Sequence, residues 1–339
     1  MKALLGLIML CCAGEAISQA QQKSPLFRDE TPLDISFAVP LNDLKREEED
    51  SVYFSSVLSY RMADGTSDSV RVGIRARGNY RRKHCNLPPL RIKIHKEDRS
   101  KELFAGVKSL KLVVPCQNVK SSNDLILREY LCYQLYEPTT PYVLSTRLVN
   151  VKLIDTSRKM EVMTLVGFLI EDDDDAARRF HAKVVSGDKL NPFMLQDTCA
   201  IRFDLFQFMI GNTDFSTAYF HNTKVLRTKS NAFLPVAYDF DMSGLVSAPY
   251  ATVDPALGIE SVRQRVYRGF CRGEGVSQAV REEYLALEPT IYGIIDKHRS
   301  MFSDRDMAVM KRYMKDFFTM IRNDNIYKQR ITNVCRTTN

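Results

Sequence analysis

The run Val70-Arg71-Val72-Gly73-Ile74-Arg75-Ala76-Arg77-Gly78-Asn79-Tyr80-Arg81-Arg82-Lys83, with Leu90-Arg91-Ile92-Lys93-Ile94 after it, decides how the chain is read. Val70, Val72 and Ile74 alternate with polar neighbours, and so do Leu90, Ile92 and Ile94. A period of two turns one face of each run toward a core and the other outward, so both runs are expected to be strands. The outward face of the second carries Arg91, Lys93 and His95. Between them lie a glycine and a cluster of cations. A cationic turn that feeds a strand presenting a lysine can cover a polyphosphate. The same residues can also form a plain basic hairpin, with long side chains lying along its surface and their heads in water.

Working outward, 109–114 reads as another short strand, closed by Pro115. A helix is expected over 123–136, capped by Ser122 or Asn123 and ended by Pro138 and Pro141. Strands are expected at 147–154 and 162–170. The acidic run Glu171-Asp172-Asp173-Asp174-Asp175 reads as a solvated loop or a helix N-terminus. Beyond residue 176 helices dominate. Phe203, Phe206, Met209 and Ile210 recur at helical spacing, and a strand–turn–strand segment fills 216–237. The stretch 255–335 is helical, with a long amphipathic helix near 304–322. Strands first and helices later predict an α+β fold of two lobes with a cleft between them.

The N-terminus has its own logic. Met1-Lys2 is followed by an apolar run, 3–12, and by small residues at Ser18 and Ala20. This is the pattern of a removable signal peptide, 1–20. The apolar run is shorter than the about 20 residues a membrane span needs, and no later segment supplies one. The protein is therefore expected to be exported, periplasmic or extracellular, with a short solvated leader at 21–30. With 45% hydrophobic residues and 18 Phe the chain can bury a large core. Its net charge of +7 favours anionic ligands. No nucleic-acid-binding motif is visible, so a nucleic-acid partner is not expected.

Six cysteines follow the signal peptide: Cys85, Cys116, Cys132, Cys199, Cys271 and Cys335. Export permits disulfides. None forms a CxxC pair, which argues against a structural zinc site. Cys85 and Cys116 both fall in the strand-rich half and are the favoured pair. Cys132 and Cys199 sit in apolar helical contexts that suit buried thiols.

A second constellation carries chemistry. Asn212-Thr213-Asp214 follows an apolar helix, His221-Asn222 heads a strand, and Tyr238-Asp239-Phe240-Asp241 follows another strand. A carboxylate after a helix end can orient or deprotonate a nucleophile. An amide oxygen and carboxylates gathered at strand ends are hard oxygen ligands that suit Mg²⁺. Asp also favours turns and caps, so each residue alone has a purely structural reading. His221 reads as structural, since no paired-histidine motif accompanies it. No G-x-S-x-G elbow occurs.

Taken in order, R-G-N, R-I-K-I, Leu127-Arg128-Glu129, Gly167-Phe168-Leu169-Ile170-Glu171, N-T-D with H-N, and Y-D-F-D resemble the CotH kinase-like family over about residues 70–245. The resemblance implies a bilobal, atypical protein-kinase-like fold: a strand-rich N-lobe with one helix at 31–171 and a mainly helical C-lobe at 172–339. It implies a phosphotransferase using ATP and Mg²⁺ or Mn²⁺ on an extracytoplasmic protein or glycan acceptor. Lys93 would hold the nucleotide phosphates and Glu129 would pair with it. Glu171 would lie near the adenine, and Arg77 and Asn79 would belong to the phosphate-covering turn. Asp214 would be the catalytic carboxylate. Asn222 and Asp239 would bind the metal, with Asp241 as a further oxygen. The chain departs from ordinary kinases in placing Asn222 eight residues after Asp214 and in lacking a GxGxxG loop. Those departures favour the alternative, a non-catalytic nucleotide-binding or scaffold protein.

Overall fold

Alternation governs the first half of the chain. In the computed structural model, which describes residues 23–338, seven strands follow in sequence. They are β1 (Leu33–Val39), β2 (Phe54–Arg61), β3 (Ser67–Ala76), β4 (Leu90–Ile94), β5 (Ser109–Val113), β6 (Thr146–Asp155) and β7 (Glu161–Glu171). They close into a barrel in the order β1-β2-β3-β4-β5-β7-β6. Neighbours are antiparallel except β1 and β6, which run parallel from Leu33 opposite Val149 to Val39 opposite Asp155. The alternating apolar residues point inward: Phe37, Val72, Ile74, Ile92, Leu110 and Val151 are all fully or almost fully buried in one cluster. Side chains thus fill the interior, as in other small barrels. The expected signal peptide lies outside the described residues.

The bilobal kinase-like α+β architecture expected from the sequence is not the one adopted. The first-half strands close on themselves through the β1–β6 pairing, which makes a seven-stranded mixed barrel. The strand–turn–strand expected within 216–237 is present, and a further short strand, not expected, joins it. β8 (Ala182–Val184), β9 (Thr223–Thr228) and β10 (Phe233–Ala237) form a second, antiparallel sheet in the order β10-β9-β8. Leu26 and Phe27, in the expected leader, are buried in the barrel cluster instead of solvated. The fully buried Arg147 holds that segment by donating to the Leu26 and Thr31 carbonyls and to Asp29.

Helices occupy the connections. α1 (Leu41–Arg46) follows β1, α2 (Asn79–His84) links β3 to β4, and α3 (Lys120–Tyr136) follows β5. Next come α4 (Asp173–Arg179), α5 (Asp197–Ile210), α6 (Glu274–Ala286), α7 (Glu288–Lys297), α8 (Asp304–Arg322) and α9 (Asp324–Tyr327). A second core joins the outer side of β7 to these helices. Phe168 meets Tyr130 and Tyr133 of α3 at ring distances of 5.8 and 5.5 Å. Among the described residues no helix is long and apolar enough to cross a membrane. Cys85 pairs with Cys116 and Cys271 with Cys335, while Cys132 and Cys199 are free and buried.

Candidate functional site

Phe240 is the anchor of the site. It is wholly buried, 4.6 Å from the Tyr133 ring and 5.4 Å from the Phe206 ring. Such edge-to-face packing fixes a ring in both position and orientation. The two flanking carboxylates, Asp239 and Asp241, are fixed with it. Asp239 has left-handed backbone (φ 64°), and its N–H donates to the Tyr133 hydroxyl at 2.9 Å. Asp241 accepts from the Tyr250 hydroxyl at 3.1 Å.

Glu129 lies one helical turn before Tyr133 on α3, so both side chains share a face. That face brings a third carboxylate to Asp239 and Asp241. Burial, then the Asp241 and Asp239 charges, push the Glu129 carboxyl well above its ordinary range. Burial, then the Asp239 charge, push Asp241 up to about 7. Like charges held together out of water need a cation or a proton. Two arginines stand on the other side of the balance. Arg77 and Arg81 line the same cavity of about 580 Å³, Arg77 just before α2 and Arg81 within it. The Nε atoms of both, and Oε2 of Glu129, are buried without hydrogen-bond partners.

Asp214 reaches this cavity from the loop after α5. Gly211 ends that helix in left-handed conformation (φ 66°). Asn212, buried, donates to Gln207 at 3.0 Å and accepts the Asp214 N–H at 3.0 Å. Arg268 donates to the Thr213 and Phe215 carbonyls. The loop then closes by reciprocal backbone bonds between Ser216 and His221. His221 Nε2 lies 2.9 Å from Asp214 Oδ1, and Asn222 Nδ2 donates to Asp214 Oδ2 at 2.9 Å. Phe220 and Asn222 are left-handed at φ 55° and 47°. Each such non-glycine residue costs about 1–2 kcal/mol, and strain of this kind tends to gather at functional sites. The loop is tied to the Asp239–Asp241 segment where Gly244 N–H donates to the Gly211 carbonyl at 3.0 Å.

The structure therefore gathers Arg77, Glu129, Asp214, Asn222, Asp239 and Asp241 around one cavity. Asn79 starts α2, but its side chain lies outside the described residues. Two expected members are elsewhere. Lys93 is exposed on the outer face of β4, its ammonium 5.5 Å from the Tyr53 ring centre, and it does not pair with Glu129. Glu171 is buried in an ion pair with Arg179 at 2.6 Å and accepts the Ser145 N–H. The acidic run opens a helix, one of its two expected readings, but only Asp174 in it is exposed. Asp172 caps α4 and pairs with Arg91, while Asp173 pairs with both Lys111 and Lys224. The sequence placed Arg81 only within a cationic turn and read His221 as structural, and it gave Tyr250 no role. The Arg81-Arg82-Lys83 tract was a signal for the first; nothing local marks Tyr250.

The donor set fits a hard divalent cation. Among the described residues no three His, Cys, Asp or Glu side chains form a ready-made metal cage. Mg²⁺ does not need one, because it is commonly held by one or two carboxylates together with water and substrate phosphates. The repelling Glu129, Asp239 and Asp241 carboxylates supply such oxygens, and Arg77 and Arg81 stand beside them. No protein-family model matches the chain, and no curated protein matches it.

Proposed function

We propose that the chain is an exported phosphotransferase that uses ATP with a divalent metal and acts on a hydroxyl of a protein or glycan. The observation that carries this reading is a single cavity in which a buried carboxylate oxygen of Glu129, beside Asp239 and Asp241, and the buried Nε atoms of Arg77 and Arg81 all lack partners. A metal-bound polyphosphate supplies both missing partners at once: cations to the carboxylates, anionic oxygens to the arginines. Asp239 and Asp241 would hold the metal, with Glu129 behind them. Bound there, the metal would neutralise charge on the transferred phosphoryl group. Arg77 and Arg81 bind and orient phosphate oxygens, which planar guanidinium groups match well. Asp214, held by His221, Asn222 and Asn212, keeps oxygen lone pairs free for an acceptor hydroxyl and takes its proton as the new O–P bond forms and the bond from the γ-phosphorus to the β–γ bridging oxygen breaks, with ADP as the leaving group. The motif order similar to the CotH kinase-like family supports the same activity without its fold, and the two disulfides suit an exported protein.

The experiment is transfer of labelled γ-phosphate to an acceptor panel with Mg²⁺ or Mn²⁺. Asp214→Ala should leave Mg-ATP binding within a few-fold of wild type and lower turnover by at least about 100-fold, the scale of lost general-base catalysis. An Asp214→Ala variant with wild-type turnover would contradict the role of that carboxylate.

A further inference from the structure

The outer face of β4 leads into a second cavity, of about 560 Å³, that shares no lining residue with the carboxylate cavity. Tyr53 and β4 line it on one side, α4 and β8 on the other. Six cationic residues line it, namely Arg91, Lys93, Arg99, Lys108, Arg178 and Lys183, against two acidic ones, Asp172 and Asp174. The internal pairing leaves most of that positive charge unanswered. Asp172 is already taken by Arg91 and by the Ser109 hydroxyl, and Arg178 pairs with Asp175. Lys93 has the Tyr53 ring for company. Arg99 donates through Nε to the Ile94 carbonyl at 3.0 Å. Lys108 meets Asp175 through its backbone N–H and not its ammonium. Ammonium groups that share one concave space repel one another, and a concave wall concentrates their field on whatever enters.

We propose that this groove is a second anion-binding site, for a soluble oligophosphate, that works without a divalent metal and independently of the carboxylate cavity. Separate lysines act as separate point charges, so they suit phosphates strung along a chain better than a single phosphate. Because Lys93, Lys108 and Lys183 are exposed, the attraction is screened by salt.

The test is titration calorimetry of sodium tripolyphosphate into the full chain, with EDTA present throughout. Wild type and Asp239→Ala should bind equally well. A Lys93→Glu/Lys108→Glu double variant should bind at least tenfold more weakly, and Lys93→Gln/Lys108→Gln should fall between. Both lysines are exposed, so circular dichroism should show these variants folded. Affinity should drop between 50 mM and 500 mM NaCl. Four results would overturn the proposal: no binding in EDTA, equal binding by the lysine variants, loss of binding in Asp239→Ala, or orthophosphate binding as tightly as tripolyphosphate. Loss in Asp239→Ala would mean that the two cavities are one site. None of these results bears on Mg-ATP turnover, so the phosphotransferase reading stands or falls separately.

Discussion

Asp241 binds its proton unusually tightly because it is buried beside Asp239 and, through Tyr250, can lean on a single donor. That has a consequence for binding. A metal takes the carboxylate form, so protons compete with it. Above about pH 7 Asp241 is ionised and offers no competition; below it, each unit of pH favours the proton by up to about tenfold for that one group. Glu129 is shifted in the same direction and adds to the effect. Mg-ATP affinity should therefore fall as pH drops from 8 to 6, and Asp241→Asn should flatten that dependence while weakening binding overall. Calorimetry at several pH values checks it; an affinity that rises toward pH 6 would remove Asp241 from the metal site. Lys93 shows how far a residue can be read alone. Alternation placed it on the outward face of β4, and it is there. Nothing local says which outward face borders which cavity, so its assignment to the carboxylate cavity had no physical basis in the strand itself.

At the level of elements, the site depends on two loops crossing where neither can carry a side chain. A Cβ on Gly244 would lie 2.4 Å from the Tyr313 hydroxyl and 2.5 Å from the Val262 carbonyl oxygen. The backbone oxygen cannot swing aside, so the loop must shift. Gly244→Ala should destabilise the fold by about 1–3 kcal/mol, the usual range for overpacking, and should weaken Mg-ATP binding by moving Asp241 relative to Asp214. Urea unfolding and calorimetry on the same variant check both halves; a wild-type midpoint would show that the crossing tolerates a methyl group. Individual elements were legible because their signals are local. The helix expected at 123–136 is α3 (Lys120–Tyr136), and the strand expected at 162–170 is β7 (Glu161–Glu171). The strand–turn–strand at 216–237 resolves into β9 and β10, preceded by the short Ser216–His221 bridge. The spacing suggested that pairing across 223–237 would bring Asn222 to Asp239; Thr223 does pair with Ala237, but this sets the Asn222 carbonyl against the Tyr238 N–H, and the Asn222 amide binds Asp214.

For the whole molecule, closure was what the sequence hid. β1 and β6 are joined by parallel pairing between residues 116 positions apart, Leu33 with Val149. Each strand shows ordinary alternation, and no periodicity within either one names its partner. The same holds for the cavity, whose members come from the turn between β3 and α2, α2 itself, the residue before β4, β5, α3, the loop between α5 and β9, and the loop after β10. Residue types were visible in advance, but their convergence depends on long-range packing around Phe240. The Cys85–Cys116 disulfide ties the end of α2, and with it Arg81, to the segment after β5. It spans 31 residues, so Cys85→Ser/Cys116→Ser should cost about 3–4 kcal/mol of stability in denaturant unfolding. No loss would mean that α2 is held by other contacts. The central claim is that this convergence is a site for a metal-bound nucleotide. Titration of ATP into the wild-type chain, with and without Mg²⁺, and into Asp239→Ala tests it most directly. The account predicts metal-dependent binding by wild type and none by the variant; no binding by wild type at millimolar Mg-ATP, or equal binding by Asp239→Ala, would contradict it.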